Sequence, residues 1–249
     1  MRWIIGNWKM NGTRAEARQR TRELLRALPP LPEGLHVAVC PPYTSLGATA
    51  EVLTPPLELG AQDVSWQDSG AFTGEVSAPM LRDAGCGLCV VGHSERRQLL
   101  GESDGMVAQK LRALWRHGLL PVLCVGETLA EREQGRTEEV LRMQLLAALE
   151  GSSPADLLVA YAPVWAIGTG RPAHAADSAR GLGVLRQALD AVWGADGAGV
   201  PCLYGGSVSA ANCAPFWTEG RADGALLGGA SLDAQAFAAI VRSAAEVRP

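Results

Sequence analysis

Eight short apolar runs rich in β-formers, separated by stretches of helical periodicity, constrain this 249-residue chain more than any other feature. They are RWIIGNW (2–8), HVAVC (36–40), LELGA (57–61), LCVVGH (88–93), PVLCVG (121–126), LLVAYA (157–162), PCLYGG (201–206) and GALLGG (224–229). Between them, side chains recur at the 3.6-residue spacing of amphipathic helices. Ala17, Thr21, Leu24, Leu25 and Leu28 form one such set, and Met106, Val107, Lys110, Leu111 and Leu114 another. Leu182, Leu185, Leu189 and Val192 form a third. Most strand runs are continuously apolar, as expected of a parallel sheet covered on both faces. Eight β–α units in about 250 residues match a closed (β/α)8 barrel in number and length. The competing architecture is an open doubly wound sheet, but its GxGxxG turn after the first strand is absent. The proline-rich patches PPLPEG (29–34) and TPP (54–56) are short enough to be connections, and no compositional shift divides the chain. The expectation is one α/β domain over residues 1–249.

A hydrophobic content of 47% supports a full core. Net charge is −4 with lysine and arginine dispersed, which favours neither nucleic acid nor an acidic membrane as partner. No segment approaches the ~20 apolar residues of a membrane span. The opening MRWIIGNWKMNG has too short an apolar run for a signal peptide, so a cytoplasmic location is expected. Of six cysteines, Cys86 and Cys89 share a CxxC spacing that can mean metal or redox chemistry. Here the pair leads into a strand-like run, where positions three apart point to opposite faces, and there is no second CxxC or histidine pair. Buried or half-buried free thiols are the expected state.

In such a barrel, function gathers where strand C-termini meet their loops. Polar residues and glycines concentrate there: Asn7 and Lys9, His93-Ser94-Glu95, Glu127, the 163–170 segment, Gly205-Gly206-Ser207 and Gly228-Gly229. The glycine turns after the last two strands can present unblocked N–H groups to a phosphate, and Ser207 can add a hydroxyl; alone, either would be an ordinary strand-to-helix turn. Lys9, flanked by Trp8 and Met10, can project into the pocket and neutralise a phosphate or an oxyanion, with Asn7 orienting it. His93 precedes SERR, whose first helical turn would disfavour a cationic imidazole. Glu95 suits either acid–base work or a salt bridge to Lys9 or a neighbouring arginine. Residues 163–170 read as a water-excluding lid, with Pro163 at its start, Trp165 as a latch and Gly168 and Gly170 at its tip; a static loop is the alternative.

GNWKMNG (6–12), GAFTGEVSAPML (70–81), VGHSERR (91–97), PVLCVGET (121–128), PVWAIGTG (163–170), YGGSV (204–208) and LLGGASL (226–232) together resemble triosephosphate isomerase, in order and across the whole chain. The resemblance implies a TIM barrel and a cofactor-free interconversion of dihydroxyacetone phosphate and D-glyceraldehyde 3-phosphate through an enediolate, in glycolysis and gluconeogenesis. It implies that Asn7 and Lys9 contact substrate, His93 polarises the carbonyl and Glu95 supports the site. Gly168, Ser207, Gly228 and Gly229 would hold the phosphate. Residues 70–81 resemble a loop that builds a homodimer, with Thr73 bracing the partner's Asn7 and Lys9.

One position departs from the pattern. Where the family reads Tyr-Glu-Pro-Val-Trp, this chain reads Tyr161-Ala162-Pro163-Val164-Trp165, so the residue matching the general base is a methyl group. Ala162 predicts strongly impaired turnover, since general base catalysis is worth ~10²–10⁴-fold. A non-catalytic triose-phosphate-binding protein is the alternative. Pro172, just beyond the lid, fixes a torsion where the family is usually freer. An aldolase-type barrel would need a Schiff-base lysine, and only Lys9 and Lys110 exist, the latter in mid-helix.

Overall fold

A computed structural model describes residues 1–166 and 173–247. The chain begins with β1 (Arg2–Asn7), α1 (Arg14–Ala27), β2 (Leu35–Cys40) and the short α2 (Leu46–Ala50). β3 (Leu57–Ala61) leads to α3 (Ala78–Asp83), and β4 (Leu88–Val91) to α4 (Ser94–Leu100) and α5 (Asp104–Arg116). β5 (Leu120–Val125) precedes α6 (Leu129–Glu133) and α7 (Thr137–Leu149), and β6 (Leu158–Tyr161) precedes α8 (Ala175–Trp193) and α9 (Ala195–Ala198). β7 (Cys202–Tyr204), α10 (Ala214–Thr218), β8 (Gly224–Leu227) and α11 (Ala234–Glu246) complete the order.

All eight strands run parallel, and β1 pairs with both β2 and β8, so the sheet is a closed (β/α)8 barrel and the open alternative falls away. The closing seam depends on Gly224. Its φ is +140°, and a β-carbon there would lie 1.8 Å from the Trp3 carbonyl oxygen. Only glycine fits that seam.

The core has two layers. Trp3, Ile5, Val90, Val122, Leu158 and Leu203 form a cluster made only of strand residues, inside the barrel. Ile4, Val37 and Val91 instead join helix residues such as Leu111, Leu185 and Phe237 in the layer outside it. Along β1 the side chains therefore alternate in, out, in, and both destinations are apolar. This is why the strand sequences read as unbroken hydrophobic runs. Burying leucines such as Leu111 and Leu185 contributes about 1.5–3 kcal/mol each and holds the helices on the barrel.

One detail of the helical stripes differs from expectation. On α8, Leu182, Leu185 and Leu189 are buried, but Trp193 continues the stripe and Val192 is exposed. Position 193 lies four residues beyond 189, directly above it on the same face. On α5, Lys110 sits fully buried within the apolar stripe, held by carboxylates from elsewhere in the chain. Cys86 and Cys89 are buried; burial pushes the Cys86 thiol up to about 12 and raises that of Cys89 well above its ordinary value. Both thiols are thus held in the protonated form, which is the weaker nucleophile.

Candidate active site

The C-terminal ends of β1, β4, β7 and β8 open onto one cavity of about 350 Å³, whose lining includes Asn7, Lys9, His93, Ser207, Gly228 and Gly229. Asn7 and Ala230, 223 positions apart in sequence, meet here because barrel closure places β8 beside β1. Lys9 follows β1 with a φ of +52°, a conformation uncommon outside glycine. Side chains hold it there. Lys9 N–H donates to Asn7 Oδ1 at 2.9 Å, and Gln62 Nε2 donates to the Lys9 carbonyl at 2.8 Å. The same Gln62 amide donates to the Cys40 carbonyl at 2.8 Å, tying the loop to β2. Gln62 was not among the residues singled out from sequence. It is the first polar side chain after β3, so the strand-end rule applied to every strand would have found it.

The Lys9 ammonium lies 2.6 Å from Glu95 Oε1, which places Glu95 in the salt-bridge role of its two sequence readings. The ammonium also comes close to the last strand: a β-carbon on Gly228 would sit 3.3 Å from Lys9 Cε and 3.7 Å from Nζ. Glycine at 228 thus leaves the lysine head room beside that turn.

His93 caps the N-terminus of α4, its Nδ1 accepting from the Glu95 N–H at 3.3 Å. Glu95 Oε2 is also 3.5 Å from Nδ1, a distance that would matter only for a protonated ring. The cap wins. Burial lowers the His93 pKa and outweighs the pull of Glu95, while Lys9 lowers it further. The ring is therefore neutral, with Nδ1 as acceptor and Nε2 as N–H donor.

Among the described residues, the N–H groups of Gly206, Ser207, Gly228 and Gly229 have no protein acceptor. Four unpaired donors in two adjacent turns make an anion cradle. The Ser207 hydroxyl is directed elsewhere, donating to the Ala166 carbonyl at 2.9 Å, so the serine offers the cavity its backbone rather than its side chain.

Ala162 follows β6, anchored by its N–H to the Val125 carbonyl at 2.8 Å. It is buried, and its methyl lies 3.1 Å from where a β-carbon on Gly205 would stand. Gly205 lines the cavity, whereas Ala162 sits behind it.

The segment after Ala162 continues through Pro163 into a single 3-10 turn, Val164–Ala166. Glu127, fully buried after β5, accepts at Oε1 from the Trp165 indole at 2.8 Å and the Tyr161 hydroxyl at 3.1 Å. The Arg132 guanidinium stacks 3.9 Å from the Trp165 ring centroid. Glu127 thus pins the start of the 163–170 segment, a role that strand-end position alone did not reveal. Gly168 and Pro172 lie outside the described residues. Thr73 lies at an exposed loop tip, beside exposed Phe72.

A sequence model of the family described as triosephosphate isomerase matches residues 2–244. A protein named triosephosphate isomerase from Moorella thermoacetica is 50% identical over 244 residues, covering 96% of both chains. One of the same name from Symbiobacterium thermophilum is 48% identical over 250 residues, covering 98% of this chain and 97% of that one. The crystal structure of triosephosphate isomerase from Bartonella henselae superposes with a TM-score of 0.88 at 36% identity, covering 97% of this chain and 98% of its own. A likeness that runs nearly end to end in both sequence and backbone, over the same strand ends that build this cavity, leaves one conclusion: the chain belongs to the triosephosphate isomerase family.

Proposed function

We propose that this single-domain barrel is shaped to interconvert dihydroxyacetone phosphate and D-glyceraldehyde 3-phosphate, and that Ala162 leaves its turnover strongly impaired. The phosphate would rest on the N–H groups of Gly206, Ser207, Gly228 and Gly229, with Gly168 contributing from the 163–170 lid. The His93 Nε2–H would donate to the substrate carbonyl oxygen, while Lys9, positioned by Asn7 and Glu95, balances its growing negative charge.

In the ketose-to-aldose direction a base takes a proton from C1. The freed electron pair forms a C1–C2 double bond, and the carbonyl π pair moves onto oxygen to give the enediolate. The C1 hydroxyl proton then passes to the C2 oxygen, an electron pair on the C1 oxygen re-forms a carbonyl at C1, and the double-bond pair takes up a proton at C2 to complete the aldose. Only protons move, so the reaction as written needs no cofactor. The observation that carries the proposal is the mismatch within one site: a neutral imidazole, an ammonium and four unpaired N–H groups face a single cavity, but position 162 supplies a methyl. A methyl cannot accept the C1 proton.

The test pairs isomerase kinetics of the chain with those of its Ala162→Glu variant. The variant is expected to exceed the chain as given by ~10²–10⁴-fold or more in kcat, at similar affinity for a phosphate ligand. A variant that stays inactive overturns the site assignment. A second reading, a non-catalytic triose-phosphate binder, rests on the same methyl; it stands if ligand binds tightly and glutamate restores no turnover.

The site is further read as that of a cytoplasmic homodimer. A cavity of about 400 Å³ beside Lys9 and Glu95 is walled in part by Met10, Tyr43 and Leu99, and Met10 is 95% exposed. Covering so large an apolar side chain fits insertion of the partner's Thr73 loop.

A further inference from the structure

Helix α1 is rich in arginine, and one of these residues turns inward. Arg20 lies three residues after buried Ala17 and four before buried Leu24, so it shares their face of the helix. Arg14, Arg22 and Arg26 are exposed. Among the described residues Arg20 forms no salt bridge, and its Nη1 is buried without a hydrogen-bond acceptor.

What Arg20 touches instead are two loops of the C-terminal rim. Its guanidinium carbon stands 4.9 Å from the Trp8 ring centroid, a cation–π contact. Its Nε donates to the Leu232 carbonyl at 3.0 Å. A β-carbon on Gly12 would lie 3.0 Å from Nη1, so glycine at 12 leaves the guanidinium room beside the β1 loop.

Both contacts end one step from the cavity. Trp8 is fully buried and joins Asn7 to Lys9 in the chain. Leu232 closes the 3-10 turn Gly229–Ser231, its N–H donating to the Gly229 carbonyl at 3.1 Å. Within that turn Ser231 Oγ donates to the Gly228 carbonyl at 2.6 Å. Neither loop is stiff by itself. Lys9 holds a left-handed φ of +52°, which a residue with a side chain keeps only under outside restraint, and the Gly228-Gly229 turn has no side chains to anchor it.

We propose that Arg20 is a positioning residue. Its guanidinium, held between Trp8 and Leu232, sets the distance from Lys9 to the Gly228-Gly229 turn, and with it how tightly the cavity holds a phosphate. The role rests on the phosphate-binding reading of that cavity. Arginine suits it because one rigid, permanently charged group can lie against the indole and donate to the carbonyl at once.

The test is calorimetric titration with inorganic phosphate of the chain as given, Arg20→Met and Arg22→Met. Arg20→Met keeps an aliphatic stem and loses both contacts, whereas Arg22→Met removes the same charge from an exposed position on the same helix. Phosphate affinity is expected to fall roughly five- to tenfold in Arg20→Met and to stay within about twofold in Arg22→Met. Amide resonances of the ¹⁵N-labelled, phosphate-free chains give a second readout. Those of Lys9, Gly228 and Gly229 should move in Arg20→Met, while those of Gly206 and Ser207, on the β7 turn, should not. If Arg20→Met does not fold, Arg20→Lys takes its place, with an expected fall of about threefold because an ammonium cannot make both contacts together. The proposal is overturned if the Arg20 variant binds phosphate as the chain does, if Arg22→Met weakens binding equally, or if the Gly206 and Ser207 resonances move as far as that of Gly229. A chain that takes up no phosphate at all overturns the reading of the cavity, and this role with it.

Discussion

Replacing Lys110 by methionine should destabilise this protein more than the loss of one surface charge ever could. The Lys110 ammonium is 2.6 Å from Asp63 Oδ1 and 2.6 Å from Glu102 Oε1, the latter a charge contact too oblique to count as a hydrogen bond. Arg96 closes the ring, with a terminal nitrogen 2.8 Å from Asp63 Oδ2 and Nε 3.0 Å from Glu102 Oε2. Side-chain exposure is 2% for Lys110 and 1% for Glu102, so water cannot replace the missing cation. Methionine keeps the volume but leaves two buried carboxylates sharing one arginine. Breaking a buried pair this way costs about 3–5 kcal/mol. For a chain of this length that corresponds to a fall in Tm of about 6–20 °C. The readout is thermal and urea unfolding at fixed protein concentration, because any self-association would shift both.

Two further readouts make the reasoning refutable. Burial holds the Asp63 carboxyl above its ordinary 3.8, and Lys110 pulls it partly back down. A raised carboxyl contributes stability that is present below 3.8 and lost as pH rises through the folded value. Without Lys110 the folded value climbs, so the deficit of Lys110→Met should be larger near neutral pH than in mildly acidic buffer. The double variant Asp63→Asn/Lys110→Met leaves Arg96 facing Glu102 as a balanced pair and should be more stable than Lys110→Met alone. A deficit of less than about 1 kcal/mol, one indifferent to pH, or a double variant weaker than the single one would each refute the account.

Gly228→Ala brings a methyl to 3.3 Å from Lys9 Cε, so affinity for inorganic phosphate should fall by roughly tenfold in calorimetric titration, with little change in Tm. Burial lowers the His93 pKa, so the unfolded chain takes up that proton first, and stability should fall as pH drops from about 6.5 through the folded value. His93→Gln should flatten that part of a Tm–pH curve, and an unchanged slope would contradict a buried neutral ring. Formate or acetate should raise turnover of the chain in proportion to its concentration if a small carboxylate can stand where position 162 offers none; no rescue would mean that the space behind Gly205 is closed to it.

Much of the architecture is legible in local pattern. The strand runs could be placed to within a few residues because two apolar layers demand continuous hydrophobicity, as Trp3, Ile4 and Ile5 illustrate. The site was legible for a related reason. Barrel strands end on one rim, so marking polar residues at strand ends collects Asn7, Lys9, His93, Ser207 and Gly228 without knowing their geometry. The rule failed where a side chain's direction mattered. Ser207 reads as a phosphate donor, but its hydroxyl turns to Ala166; Glu95 reads two ways until Lys9 is seen 2.6 Å away.

By itself, then, the order of residues determined the eight-unit barrel, the rim that carries the cavity and the methyl at position 162, because each follows from periodicity or from the identity of one residue. Tertiary structure alone decided that Lys110, within the apolar stripe of α5, is held as a buried cation, since its partner Asp63 is 47 residues away. It alone placed Ala162 behind Gly205, and brought Arg20 to the Leu232 carbonyl, 212 residues away. Such facts depend on which side chains closure brings within about 3 Å of one another, a distance too short for sequence spacing to encode.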